Sequence, residues 1–135
     1  MNNKPIGIFD SGLGGLTVVK ALKKLMPNES IIYLGDTARL PYGVKSKNLV
    51  KQFCTQITRF LLEKNAKAII IACNTATAMA LNSLKNEFKN IPIIGVIEPG
   101  SEKAISKTIT KKIGVIGTIA TISSGAYEKE IKQKD

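Results

Sequence analysis

The run Ala68-Ile69-Ile70-Ile71-Ala72 passes straight into Cys73-Asn74-Thr75-Ala76, and this junction constrains the fold more than any other stretch of the chain. A short apolar segment rich in β-branched residues, without polar alternation, reads as a strand buried on both faces. Small polar residues then open a helical pattern, so the segment is a parallel strand feeding a helix. That assignment puts Cys73 at the carboxyl end of a strand and beside a helix N-terminus. Open α/β sheets bind ligands along that edge. A helix N-terminus also favours thiolate over thiol, which makes a cysteine there a candidate nucleophile or base. The competing reading is a small core residue, because free cysteine is among the most buried types. On this segment alone the two readings weigh equally.

The second cysteine has a different setting. Around it Leu49, Val50, Phe53, Cys54, Ile57, Phe60 and Leu61 recur at steps of one, three and four, which marks one face of an amphipathic helix over 46–64. Cys54 lies mid-helix on that face and reads as a structural core residue. Two cysteines so differently placed suggest neither a disulfide nor a metal site. There is no Cys-x-x-Cys, and with no histidine in the chain neither a zinc set nor a histidine-based triad can be completed from it.

The rest of the chain repeats the strand-to-helix rhythm. Strands are expected over 6–10, 31–35, 68–73, 93–97 and 113–117, and helices over 16–26, 46–64, 77–89, 101–107 and 123–132. Such alternation predicts an α/β fold, a parallel sheet with right-handed crossovers flanked by helices. The strands end in polar or glycine-rich sequence: Asp10-Ser11-Gly12, Gly35-Asp36-Thr37, Cys73-Asn74-Thr75, Glu98-Pro99-Gly100 and Gly117-Thr118. Clustered on one edge, they would line a polar crevice. The final helical pattern has no strand after it, which fits either a natural terminus or a truncated protein.

Composition narrows the function classes. A hydrophobic content of 44% with five prolines argues for a packed core rather than disorder. No apolar run approaches the roughly 18 residues of a membrane helix, and no leader pattern precedes the first strand, so a cytoplasmic setting is expected. The net charge of +10 raises nucleic-acid binding. The lysines, however, are dispersed over helix faces, only two arginines occur, and no RNA-binding aromatic signature is present. The charge therefore reads as solvated surface that also attracts a small anion.

Between the first strand and helix lies Gly7-Ile8-Phe9-Asp10-Ser11-Gly12-Leu13-Gly14-Gly15-Leu16-Thr17-Val18. A dinucleotide fingerprint needs G-x-G-x-x-G and an acid roughly 20 residues on. Gly12, Gly14 and Asp36 fit. Thr17 stands where the third glycine belongs, and the Asp10 carboxylate would repel a pyrophosphate. The loop thus reads as shaping a small-ligand site, with an acid and a hydroxyl at the strand end. The loop Asp36-Thr37-Ala38-Arg39-Leu40-Pro41-Tyr42-Gly43 reads on its own as a surface turn with Arg39 solvated. The alternative is that Tyr42 offers a hydroxyl and the Tyr42 and Gly43 amides bind a carboxylate. Asn74 and Thr75 can cap the following helix and can equally grip an α-carboxylate and α-amine beside Cys73.

Taken together, Phe9-Asp10-Ser11-Gly12-Leu13-Gly14-Gly15-Leu16-Thr17-Val18, Gly35-Asp36-Thr37-Ala38-Arg39-Leu40-Pro41-Tyr42-Gly43, Ala72-Cys73-Asn74-Thr75-Ala76, Gly95-Val96-Ile97-Glu98-Pro99-Gly100 and Ile116-Gly117-Thr118-Ile119-Ala120-Thr121 resemble, in this order, the motifs of bacterial glutamate racemases. The resemblance implies an isomerase that interconverts L- and D-glutamate for peptidoglycan synthesis, without a cofactor. It implies that Cys73 is one of two catalytic cysteines. Asp10 and Ser11 would contact the substrate amine region, and Tyr42, Gly43, Asn74 and Thr75 would bind substrate, with Thr118 and Thr121 lining the same cleft. The implied fold is the first domain of a two-domain racemase, residues 1–97, plus the start of the second, residues 98–135. The implied partner is a small-molecule substrate, glutamate, with neither nucleic acid nor membrane; assembly as a homo-oligomer stays open.

One departure stands out. The second cysteine of such enzymes lies in a threonine–histidine motif of the distal half, and this chain has no histidine and no third cysteine. The chain alone is therefore expected to be inactive. Two other readings stay open: a catalytically inactive fragment or binding protein with the racemase fold, and a Rossmann-type nucleotide-binding module.

Overall fold

The structure, a computed structural model, describes residues 3–134, so the outermost residues of the expected 1–97 and 98–135 units lie outside it. Strands β1 (Ile6–Asp10), β2 (Ile31–Gly35), β3 (Ala68–Ile71) and β4 (Ile93–Gly95) form one parallel sheet in the order β2-β1-β3-β4. In the centre Ile8 pairs with Tyr33 and Ile70, and Phe9 with Leu34 and Ile71. Helices α1 (Leu16–Leu25), α2 (Lys47–Glu63) and α3 (Asn74–Glu87) make the crossovers. Right-handed connections put α1 on one face and α2 with α3 on the other, because β2 and β3 lie on opposite sides of β1.

The faces are unequal. Phe9, Ile69 and Ile71 from the strands meet Val50, Cys54 and Leu61 of α2 and Ala80 and Leu84 of α3, all fully buried. A fully buried aliphatic side chain contributes about 1.5–3 kcal/mol, so this layer carries most of the stability. Helix α1 buries none of its residues and leaves Leu16, Leu25 and the adjoining Met26 exposed. Every residue of β2 is only half-buried.

Beyond the sheet come α4 (Ile97–Lys107), α5 (Ile119–Ser123) and α6 (Ala126–Lys134). Here the expectations need correction. Residues 113–117 are not a strand: they carry no regular structure, and Ile116 is 98% exposed. A strand needs a neighbour to satisfy its ladder, and no sheet lies beside this segment among the described residues. The fourth strand stops at Gly95 because Val96 turns into the right-handed helical region and starts α4. Glu98, Pro99 and Gly100 are therefore helical, not a strand-end loop. Proline is tolerated in a first turn, where its missing N–H has no partner, and an acid is favoured there. The third strand ends at Ile71, and α3 begins at Asn74 rather than 77. The last helix, expected over 123–132, begins only at Ala126, and the short α5 before it was not expected; the two are parted at Gly125, whose φ of +64° is left-handed backbone that glycine adopts without strain. Among the described residues no helix is long and apolar enough to cross a membrane.

Candidate active site

In a sheet ordered β2-β1-β3-β4 the chain leaves β1 towards one edge and β3 towards the other, so a crevice opens beyond the ends of these neighbouring strands. Asp10, Ser11 and Cys73 stand at that point. The buried Asp10 carboxylate accepts the Gly15 N–H at 2.9 Å, an amide that opens α1. The position a pyrophosphate would use on this helix is thus occupied by the protein's own acid. The Tyr33 hydroxyl donates to the Gly12 carbonyl at 2.7 Å and pins the loop after Asp10. Burial, then the charges of Asp10 and Cys73, raise the Tyr33 pKa and keep this donor protonated.

Cys73 is the N-cap of α3: its Sγ accepts the Ala76 N–H at 3.4 Å, and its thiol lies 3.6 Å from the Ser11 hydroxyl oxygen, to which it donates. The side chain is 8% exposed, buried on the core side and open on the cleft side. An amide that caps the helix in this way bonds an anionic sulfur more strongly than a neutral one. Asn74 and Thr75 follow on the first turn of α3. The Thr75 hydroxyl lies 2.8 Å from that of Thr118 and 3.1 Å from that of Thr121, and Thr118 and Thr121 are 3.0 Å apart. Thr118 also caps α5 by accepting the Thr121 N–H at 3.2 Å. Three hydroxyls in a triangle can re-aim their protons towards a carboxylate without moving a heavy atom.

These residues line one open cleft of about 490 Å³, a volume in the range of small-molecule sites. Gly14, Thr17, Val18, Val96 and Tyr127 complete much of its wall.

The loop after β2 supports the cleft from beneath. Asp36, 7% exposed, accepts from the Tyr42 hydroxyl and from Arg39 Nε, the latter at 2.7 Å. Arg39 Nη1 donates to Gln56 Oε1 of α2 at 2.6 Å, and its guanidinium sits 4.1 Å over the Phe53 ring. Burial, then the Asp36 hydrogen bond and charge, push the Tyr42 pKa far up, so its hydroxyl stays a donor. Gly43 lies against Thr118: a Cβ built there would meet Thr118 Cβ at 2.6 Å. Glycine is required for this close approach.

The structure thus gathers Asp10, Ser11, Cys73, Asn74, Thr75, Thr118 and Thr121 around one cleft. It does not bring the Tyr42 hydroxyl there; that group is 1% exposed and turned to Asp36, and Gly43 backs Thr118 from behind. Arg39 is no solvated turn residue but the clamp between the loop and α2, because the buried Asp36 needs a cation. Asp36 is equally unavailable to a ribose, which removes the acid the nucleotide reading relied on. Sequence reasoning missed Tyr127, whose hydroxyl donates to Asn74 Oδ1; an isolated aromatic on a short polar helix gave no signal. Among the described residues no group of three or more His, Cys, Asp or Glu side chains is gathered to hold a metal.

Cys54 is fully buried among α2, α3 and the sheet, and burial, reinforced by the negative charges of Cys73 and Asp36, pushes its pKa from 9.0 up to about 12. The thiolate is the reactive form. Iodoacetamide at pH 8 to 9 is therefore expected to label Cys73 and spare Cys54 in the folded protein. Peptide mapping by mass spectrometry checks this, and preferential labelling of Cys54 would overturn the assignment.

The sequence model of the Asp/Glu/Hydantoin racemase family matches residues 16–135. The chain belongs to this racemase family. It is 54% identical over 134 residues to the glutamate racemase of Lactococcus lactis, covering 99% of this chain and 49% of that protein. The racemase fold is equally close in three dimensions. The glutamate racemase of Aquifex pyrophilus superposes with a TM-score of 0.92 at 51% identity, over 96% of this chain and 51% of that one. The Francisella tularensis glutamate racemase, solved in complex with D-glutamate, gives 0.91 at 47% identity over 100% and 50%. The chain spans about half the length of the racemases it matches.

Proposed function

We propose that this chain is the proximal half of a cofactor-independent glutamate racemase that supplies D-glutamate for peptidoglycan synthesis in the cytoplasm. The observation that carries this reading is the placement of Cys73 at the β1/β3 switch point, beside Ser11 and open to the cleft, in a chain about half identical to glutamate racemases. In this reading residues 1–97 form the first α/β domain and residues 98–135 open the second.

Racemisation removes the α-proton from one face of the carbon and delivers a proton to the other, so a base and an acid must flank it. Cys73 serves one face: as thiolate it takes the proton of one enantiomer, and as thiol it returns a proton in the reverse direction. The opposing group comes from the distal half, and so does the second wall that excludes water. Asp10 and Ser11 address the substrate ammonium. The α3 amides and the threonine triangle hold the α-carboxylate, where charge develops in the carbanion, and Asn74 adds a contact that holds the bound substrate. Gly43 supports the carboxylate contact from behind, by seating Thr118 beside Thr75 and Thr121.

The test is circular dichroism of each glutamate enantiomer incubated with the purified full-length protein. Loss of ellipticity to zero from both sides, without added cofactor, is expected. A full-length protein that leaves both enantiomers unchanged, or needs an added cofactor, would overturn the reading.

A further inference from the structure

Tyr127 is the second residue of α6, and this helix is held by more than the turn at Gly125 that leads into it. Lys134 Nζ, at its far end, donates to Glu102 Oε1 at 2.6 Å and Glu98 Oε1 at 3.4 Å on α4. The Tyr127 ring passes beside Gly100 of α4, whose missing Cβ would stand 3.7 Å from Cε1. The phenol is thus carried on a braced pair of helices. Its half-buried hydroxyl reaches across the cleft wall to the first turn of α3 and donates to Asn74 Oδ1. Burial raises the Tyr127 pKa, which keeps the proton on that oxygen.

A carboxamide has two faces of opposite character: one oxygen that accepts and one nitrogen that donates two hydrogens. Either can be turned to a ligand, and an exposed asparagine on a helix N-terminus samples both. The bond from Tyr127 biases that choice. A phenol can also accept from Nδ2, but here its hydrogen is directed at Oδ1, which leaves Nδ2 to meet whatever enters the cleft. A donor there suits a carboxylate and repels an ammonium, so the bias also favours one end of an amino acid against α3.

We propose that Tyr127 is a positioning residue, which orients the Asn74 carboxamide so that it meets the substrate as a hydrogen-bond donor. The assignment rests on the racemase reading above. It acts through Asn74 and not on the reacting carbon, so it governs how well substrate is held rather than how fast the proton moves.

A double-mutant cycle on the full-length enzyme tests it, with racemisation followed by circular dichroism for both enantiomers. Tyr127→Phe keeps the ring beside Gly100 and removes only the hydroxyl. It is expected to raise KM about five- to tenfold, the size of one hydrogen bond, while kcat stays within about twofold. Asn74→Ala is expected to raise KM at least as much, and the double variant to match Asn74→Ala alone, because the phenol then has nothing to position. A Tyr127→Phe enzyme with unchanged KM overturns the assignment. So does a double variant whose defects multiply, which would make the phenol a direct substrate contact or a structural residue. A wild-type enzyme that does not racemise glutamate overturns the underlying reading instead, and is told apart by its silence before any substitution.

Discussion

Replacing Cys73 by alanine in the full-length protein is expected to abolish racemisation in both directions, with a fall in kcat of about 100- to 10,000-fold, the range of a positioned acid–base group. Cys73→Ser is expected to fail nearly as badly, because an alcohol is too weak an acid to hold an anion near neutral pH. The defect has a further signature. With the opposing group of the proposed pair intact, one enantiomer can still lose its α-proton and regain one on the same face. In deuterated water that enantiomer would exchange its α-hydrogen without inverting, while its mirror image would exchange far more slowly. Proton NMR of each enantiomer reads this directly. Cys54→Ala serves as the control and is expected to racemise normally, since the Cys54 thiol is sealed among α2, α3 and the sheet. A Cys73→Ala enzyme that racemises near the wild-type rate would show that the strand-end thiol is not a base at all.

How far this site can be read without coordinates depends on which forces are local. The run into Cys73 was legible because three consecutive isoleucines between small residues fit a strand buried on both faces, and because Asn and Thr after it fit a helix start. The acid–hydroxyl pair Asp10-Ser11 was legible for the same reason. Residues 113–117 were not: their alternation suits a strand, but strand formation is a property of a pair, and here they find no partner among the described residues. The break at Gly125 was missed because the helical pattern runs on through it. Arg39 and Tyr42 were misjudged because their roles depend on contacts with α2 and Asp36 that no window of sequence contains. Tyr127 failed to register for a similar reason, since its partner Asn74 lies 53 positions away.

The Asp36 contacts lead to the second large effect. Asp36→Ala is expected to destabilise the folded protein by about 2–4 kcal/mol, chiefly by stranding the Tyr42 hydroxyl in the core, where an unsatisfied buried donor costs about 1–3 kcal/mol. Tyr42 is 1% exposed and cannot turn to water. Arg39 adds less: its side chain is 30% exposed and keeps Gln56 and the Phe53 face, so its loss is discounted for solvent screening. The cycle with Tyr42→Phe separates the contributions. Removing the phenol oxygen together with the carboxylate leaves no orphaned donor, so the double variant is expected to be no less stable than Asp36→Ala alone, and to recover part of its loss. Urea unfolding of the four proteins, read at constant slope, decides it. Additive losses would mean that Tyr42 and Asp36 do not depend on one another. The consequence reaches the cleft as well, because the same loop carries Gly43, and Gly43 is what Thr118 rests on. A loop freed at Asp36 lets Thr118 drift from Thr75 and Thr121, so Asp36→Ala is expected to raise KM even at temperatures where the protein is fully folded.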